Sequence, residues 1–196
     1  MYRPRHFHEE DADKLHALIA ENPFGVLITV VDERPFASHI PFIYERQNSI
    51  LLGHVARANP QWQHFSNGQP VMAIFQGPHA YVSPTWYVDP GVPTWNYAVV
   101  HIYGAAKAIE DRSKIQEIIE RLTERQEHRS ETPWVPRYDE RLLNAIVGIE
   151  IVVSEVQGKF KLGQNRSAVD RASVISKLTA SGSEANAALA KLMSGK

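Results

Sequence analysis

The chain of 196 residues contains no cysteine. Disulfide staples, thiolate nucleophiles and cysteine-ligated metal centres are therefore excluded. An excess of charge is also missing. Its 21 Lys and Arg stand against 22 Asp and Glu, for a formal net charge of -1. Dedicated nucleic-acid binders draw most of their sequence-independent affinity from basic side chains facing phosphates, and this chain has no overall surplus of them. No apolar run approaches the ~20 residues of a membrane span. The opening MYRPRHFHEE is too polar for a signal peptide. A cytoplasmic protein is the expectation. The phosphate-cradling glycine motifs, the nucleophile elbow G-x-S-x-G and the zinc-binding H-E-x-x-H are all lacking, so a Rossmann fold, a P-loop and an α/β-hydrolase have no support.

What the chain has is an aromatic segment. Residues 75–104, FQGPHAYVSPTWYVDPGVPTWNYAVVHIYG, carry Tyr81, Trp86, Tyr87, Trp95, Tyr97 and Tyr103, six of the eleven Trp and Tyr residues. A plain core prefers Leu, Ile, Val and Phe, which bring no polar atom needing a partner. Trp and Tyr pair an apolar body with a polar tip and suit surfaces that hold something flat and partly polar. Pro78, Pro84, Pro90 and Pro93 stiffen the connections around these rings. A pocket for a planar cofactor or a subunit interface is the reading, against an ordinary aromatic core.

Periodicity organises the rest. Residues 11–21 read as a helix with Leu15, Leu18 and Ile19 on one face, stopped by Asn22-Pro23. Segments 24–31, 36–45 and 49–56 read as an antiparallel meander, with Pro41 at an edge or bulge. A short helix is expected from Asn59-Pro60 to about Ser66. A strand follows at 69–77, which 79–84 continues or pairs with. Residues 94–110 form a long strand region in which Gly104 marks a bulge or bend. An amphipathic helix covers 112–127, followed by an irregular loop, HRSETPWVPRY, and a short helix in DERLLNAIV. Residues 148–162 form a last strand or hairpin, with Ile149, Ile151 and Val153 pointing one way. Ser167 caps a helix running to about Leu178. Residues 1–178 make one domain, and 179–196 a flexible hinge with an Ala-rich helical tail. Consecutive antiparallel strands broken by single helices predict a mainly β fold, a barrel with peripheral helices rather than a βαβ sheet.

Candidate chemistry follows from this layout. In GHVARANPQW (53–62) a strand ends at His54, Arg57 follows, and a helix opens at Asn59. Free N–H groups at a helix start beside an arginine suit a mononucleotide phosphate, although from spacing alone Arg57 as a solvated turn residue and Asn59 as a simple cap is the favoured reading. Ser38 and His39 interrupt an apolar strand, as a ligand-facing or an exposed edge does. Lys159, Lys161 and Arg166 form the most basic patch, which suits an anion, nucleic acid or a solvated face. His39, His54, His79 and His101 fall on strands or strand ends, but no ligand spacing supports a metal, and none is expected. Ser83, His101 and Asp89 can be assembled into a triad only as in any chain of this size.

Several long motifs carry a resemblance: HFHEEDADKLHALIAENPFGVL, SHIPF, GHVARANPQW, FQGPHAYVSPTWY, PTWNYAVVHIYG and GKFKLGQNR. Together they resemble the PaiB family of FMN-binding negative transcriptional regulators, from about Tyr2 to Leu178. The resemblance implies an antiparallel split β-barrel like that of pyridoxamine-phosphate oxidases, a homodimer, and FMN between subunits. It implies that His54, Val55, Ala56, Arg57 and Asn59 hold the phosphate, with Arg57 as the cation. Ser38, His39 and Ile40 would run along the isoalloxazine edge. Trp86, Trp95 and Tyr97 would wall the ring, some of them from the partner subunit, and Lys161 completes the cofactor set. The implied role is repression of degradative-enzyme and sporulation genes. The chain shows no helix-turn-helix, which leaves direct DNA contact without support from sequence or charge. Two other readings are an FMN-dependent flavin reductase or oxidase, and a haem protein with His54, His79 or His101 as axial ligand.

Overall fold

A computed structural model describes residues 1–128, 130–135 and 137–195. Among these described residues, seven strands and five α-helices follow in the order β1 (His8–Glu9), α1 (Ala12–Glu21), β2 (Phe24–Val31), β3 (Arg34–Glu45), β4 (Ile50–Ala56), β5 (Pro70–Val82), β6 (Thr94–Ile109), α2 (Arg112–Glu127), α3 (Glu140–Asn144), β7 (Ile146–Lys161), α4 (Ala168–Thr179) and α5 (Glu184–Met193). The strands pair in the order β1-β7-β4-β3-β2-β5-β6, and β7 also pairs with β6. That extra pairing joins the two ends of the run from β7 to β6 into a ring of hydrogen-bonded strands, which removes the exposed edges an open sheet would present. Among the described residues no helix is long and apolar enough to cross a membrane.

The chain divides into two compact units. The first comprises residues 22–75 and 101–156. It begins with a tight hairpin in which Val31 faces Arg34 and only Asp32 and Glu33 turn, at φ 48° and 62°. Positive φ at both central residues is the turn twist that matches two right-handed strands. Leu27, Phe42, Leu51, Phe75, Ile102, Val147, Ile149 and Ile151 are all but fully buried. The alternation that the sequence shows in Ile149 and Ile151 thus faces inward. α2 starts where the Asp111 carboxylate accepts the Lys114 N–H at 2.9 Å. Its Ile115, Ile118 and Leu122 close over Ile43, Leu52, Ile109 and Leu143. Each such side chain contributes about 1.5–3 kcal/mol by leaving water.

The second unit comprises residues 1–21, 76–100 and 157–196. Leu15, Leu18 and Ile19 are the buried stripe of α1. Gly77 and Gly158 let this helix come close, since a Cβ on either would press on Leu18 or Leu15. Ser167 caps α4, its hydroxyl accepting the Asp170 N–H at 3.2 Å. α5 packs on α4 with Leu189, Ala190 and Met193 buried, and Arg171 donates to the Met193 carbonyl at 2.9 Å.

The short helix expected from Asn59-Pro60 is present as a 3-10 helix, Pro60–Gly68. One detail differs from expectation. The helix expected through DERLLNAIV stops at Asn144, because Ile146 and Val147 pair with Ala56 and Val55 at the start of β7. Ladder bonds to β4 and burial of Val147 outweigh local helix preference there. β6 runs unbroken through Gly104. That glycine is a point of close approach, since a Cβ there would collide with the Val152 carbonyl of β7. Part of the expected loop, Arg129 and Pro136, lies outside the described residues.

Gly104→Ala forces β6 and β7 apart at their seam. Urea unfolding of this variant is expected to show a loss of about 1–3 kcal/mol, the usual cost of overpacking.

Candidate functional site

β3 and β4 do not stay together. They pair over Phe42–Glu45 against Ile50–Gly53 and then part. Two residues mark the fork. Pro41 has no N–H to give a ladder bond. Gly53 sits so close that a Cβ would lie 3.0 Å from the Pro41 carbonyl oxygen and 3.0 Å from the Phe42 ring. Beyond the fork, β3 stays with β2 through Pro41–Phe24, Ile40–Gly25, His39–Val26 and Ser38–Leu27. β4 instead follows β7 through His54–Gly148, Val55–Val147 and Ala56–Ile146. The space between them is an open groove of about 540 Å³, lined by Ala37, Ser38, His39, Ile40, Pro41, His54, Val55, Ala56, Asn59 and Ile146. Its size falls within the range of small-molecule sites, about 300–1,000 Å³.

The polar groups of the groove are few. The Asn59 amide donates to the Ser38 hydroxyl at 2.8 Å, and its oxygen accepts the Gln61 N–H at 3.0 Å. One side chain thus caps the 3-10 helix and ties it to β3. Behind it the fully buried Gln61 donates to the carbonyl of Leu27 at 3.0 Å, and to the Thr29 hydroxyl and the Phe36 carbonyl at 3.3 Å. These bonds lock the helix start against the β2–β3 hairpin. Over residues 37–41, β3 has a strand partner only on its β2 side among the described residues, so its other edge faces the groove. His54 Nδ1 is buried without a hydrogen-bond partner, and burial holds the His54 pKa below the ordinary histidine value. No charged side chain is among the lining residues.

Seven of the twelve residues singled out in the sequence line this groove: Ser38, His39, Ile40, His54, Val55, Ala56 and Asn59. Arg57 stands next in the chain but is not among them. Its guanidinium donates to Glu110 at 2.8 Å, to the Asn144 carbonyl at 3.0 Å and to the Ile146 carbonyl at 3.3 Å. It therefore straps the end of β4 to the start of β7.

The remaining four belong to the second unit. Trp86 ends a 3-10 turn over Pro84–Trp86, and its carbonyl accepts from Ser173 at 2.6 Å. Trp95 is 54% exposed, with the rings of His79 and Tyr81 6.3 and 6.1 Å away. Tyr97 lies under the Lys159 ammonium at 5.4 Å. Lys161 donates to the Thr94 hydroxyl and the Trp95 carbonyl, and burial, with Lys159 nearby, pushes its pKa down. The loop before these rings is fastened by α4. The buried Asp170 carboxylate accepts the N–H groups of Val88 at 2.7 Å and Asp89 at 3.1 Å, and Arg166 stacks 4.0 Å from the Tyr87 ring centroid.

Sequence reasoning missed Ala37, Pro41 and Ile146. Pro41 carried a signal, since a proline in mid-strand marks an edge or an interruption. Ile146 carried none, because it read as the end of a helix.

Residues 1–155 match the family model described as "Putative FMN-binding domain". The chain is 37% identical over 184 residues to "Protease synthase and sporulation protein PAI 2" of Bacillus subtilis, an alignment covering 91% of this chain and 89% of the relative. The chain belongs to the PaiB family of FMN-binding proteins. Solved structures show the same fold. One is the FAD and haem binding protein of Mycobacterium smegmatis, with TM-score 0.64 and 18% identity, covering 84% of this chain and 78% of that one. Another is "Putative Pyridoxamine 5'-phosphate oxidase" from Listeria innocua, with TM-score 0.51 and 21% identity, covering 76% and 98%. The fold is thus the split barrel of the pyridoxamine-phosphate-oxidase type, as the sequence led one to expect. The cofactor of the family is FMN. The β3–β4 groove fits such a group by its volume, its free strand edge, its Ser38–Asn59 pair and its unpartnered His54 nitrogen.

Two measurements check this account. Asn59→Ala removes both a cap and the tie to β3, and urea unfolding should show a loss of about 0.5–2 kcal/mol. His54 and His101 both have pKa values lowered by burial, so the folded chain resists protons that the unfolded chain takes up. Their contribution is complete above the ordinary value of 6.5 and is lost as pH falls through the lower folded values. Unfolding free energy should decline as pH drops from about 7 toward 5.5, and His54→Gln should make that decline shallower.

Proposed function

We propose that this chain holds FMN in the β3–β4 groove as a homodimer and works as a flavin-bearing negative regulator of the PaiB type. The observation that carries the reading is the fork at Pro41 and Gly53. It opens a ligand-sized space beside a free strand edge, in the segments whose sequence matches the family. In this reading the β3 backbone over Ser38–Ile40 binds the edge of the flavin ring. Asn59 and the end of β4 receive the phosphate, with Arg57 exchanging its Glu110 contact to serve as the cation. Bound flavin would supply reversible redox chemistry, which suits a sensor.

The dimer has an argument of its own. No Trp, Tyr or Phe is among the groove's lining residues. A flat ring held there needs walls, and a second copy can bring Trp86, Trp95 and Tyr97, with Lys161 beside them. The domain boundary near residue 178 and a cytoplasmic setting belong to the same proposal. The regulated processes would be of the kind named for the Bacillus subtilis relative, protease synthesis and sporulation. The net charge of -1 offers no basic excess for DNA, so regulation through a protein or small-molecule partner fits as well as direct contact.

The test is an absorption and fluorescence titration of the purified protein with FMN, with molar mass measured in parallel. Stoichiometric binding to a species of twice the chain mass is expected. Arg57→Ala should weaken FMN by about 1.5–3 kcal/mol, the worth of a charge-assisted hydrogen bond, without unfolding the barrel. Full retention of FMN by that variant would remove Arg57 from the site. Steady oxidation of NAD(P)H by the loaded protein would move the reading to an oxidoreductase.

A further inference from the structure

The groove contains two titratable side chains, His39 and His54, and they differ in kind. His39 is exposed, its ring 6.3 Å from that of Phe24. His54 is held at the strand end with Nδ1 sealed from solvent and unpartnered. Nε2 is absent from the sealed, unpartnered atoms, and no hydrogen bond of the His54 ring exists among the described residues. Nε2 is therefore the ring nitrogen that is not sealed, on a residue that lines the groove. A neutral imidazole carries one N–H, on one nitrogen or the other. On Nδ1 the proton would be a buried donor with nothing to accept it, and such orphaned N–H groups are rarer and less tolerated than unfilled acceptors. On Nε2 the proton sits on the nitrogen that is not sealed, and only a lone pair is left buried. Burial also opposes the doubly protonated cation.

We propose that His54 is a neutral, Nε2-protonated hydrogen-bond donor that selects for an acceptor oxygen of the flavin in the groove. The proposal rests on the FMN reading above. Two kinds of oxygen on that ligand have the required chemistry, a ring carbonyl and the phosphate. Arg57 and Glu110 bond to each other in the ligand-free chain, and neither is among the groove's lining residues.

Side-chain geometry supplies the test. Glutamine can put its amide N–H where Nε2 stands, asparagine only where Nδ1 stands, and leucine fills the space with no donor. FMN dissociation constants are measured for wild type, His54→Gln, His54→Asn and His54→Leu. About a tenfold weakening is expected for Leu and Asn, the size of one hydrogen bond, and a change within about threefold for Gln. Equal binding by Asn and Gln, or wild-type binding by Leu, overturns the proposal. If Leu does not fold, the Asn and Gln pair still decides. Riboflavin in place of FMN separates the two oxygens. A penalty kept with riboflavin assigns the donor to the ring, and a penalty lost assigns it to the phosphate.

Long-range nitrogen–proton NMR of the ligand-free protein gives a readout independent of flavin. The Nε2–H tautomer is expected at pH 7. An Nδ1–H tautomer or an imidazolium there overturns the donor assignment. Absence of FMN binding by wild type overturns the flavin reading of the groove and the ligand half of this proposal, while the tautomer result stands by itself.

Discussion

The parting of β3 from β4 after the Phe42–Gly53 pair is the constraint on which the rest of this architecture turns. Had the two strands stayed in register to their ends, the ring of strands would be uniformly laced and would offer no recess. The pairing ends at a proline that lacks a ladder donor, beside a glycine whose missing Cβ lets the strands touch there. Each strand then keeps its other neighbour, β3 with β2 and β4 with β7. The backbone is still paired on one side of each strand, so the groove forms without stranding whole segments of polar backbone in the interior.

Everything around the fork holds that opening in shape. Asn59 and Gln61 anchor the 3-10 helix to the β2–β3 hairpin, and Arg57 straps the end of β4 to the start of β7. α2 covers the sheet of this unit with an apolar stripe. Ligand sites reward such stiffness, because order installed during folding need not be bought again on binding. In the second unit the aromatic loop follows the same logic. The prolines limit its freedom, but the Asp170 carboxylate and the Arg166 guanidinium are what fasten it.

Much of the strand layout was legible because its signals are local. Residues 24–31 are all strand and residues 112–127 are all α2, since β-branched alternation and a 3.6-residue apolar stripe need no distant partner to be read. The turn at Asp32 and Glu33, the Ser167 cap and the break at Asn22-Pro23 are equally local. Ile146 shows where such reading ends. Its neighbours favour a short helix, yet Val147, Ile149 and Ile151 find ladder partners on β4 about a hundred residues earlier in the chain. Gly104 read as a bulge or bend, and that it is also a point of close contact depends on where the Val152 carbonyl lies. For the groove, SHIPF and GHVARANPQW were legible as segments, and eight of their residues line it, Pro41 among them. The roles within the segments were less so, since Arg57 and Asn59 look alike as polar turn residues until their partners are known.

By itself the sequence determined the family, the strand and helix spans, the lack of thiol chemistry and of a basic surplus, and the two segments that make the groove. These follow from composition, period and long motifs, which are properties of neighbours in the chain. Only the tertiary structure decided that β3 and β4 separate at Pro41 and Gly53, that Arg57 bonds to Glu110 and to the carbonyls of Asn144 and Ile146, that Asp170 is buried to hold a loop some eighty residues away, and that His54 keeps Nδ1 sealed. Each of these depends on the distance between residues far apart in sequence, and such distances are set by packing rather than by any local preference.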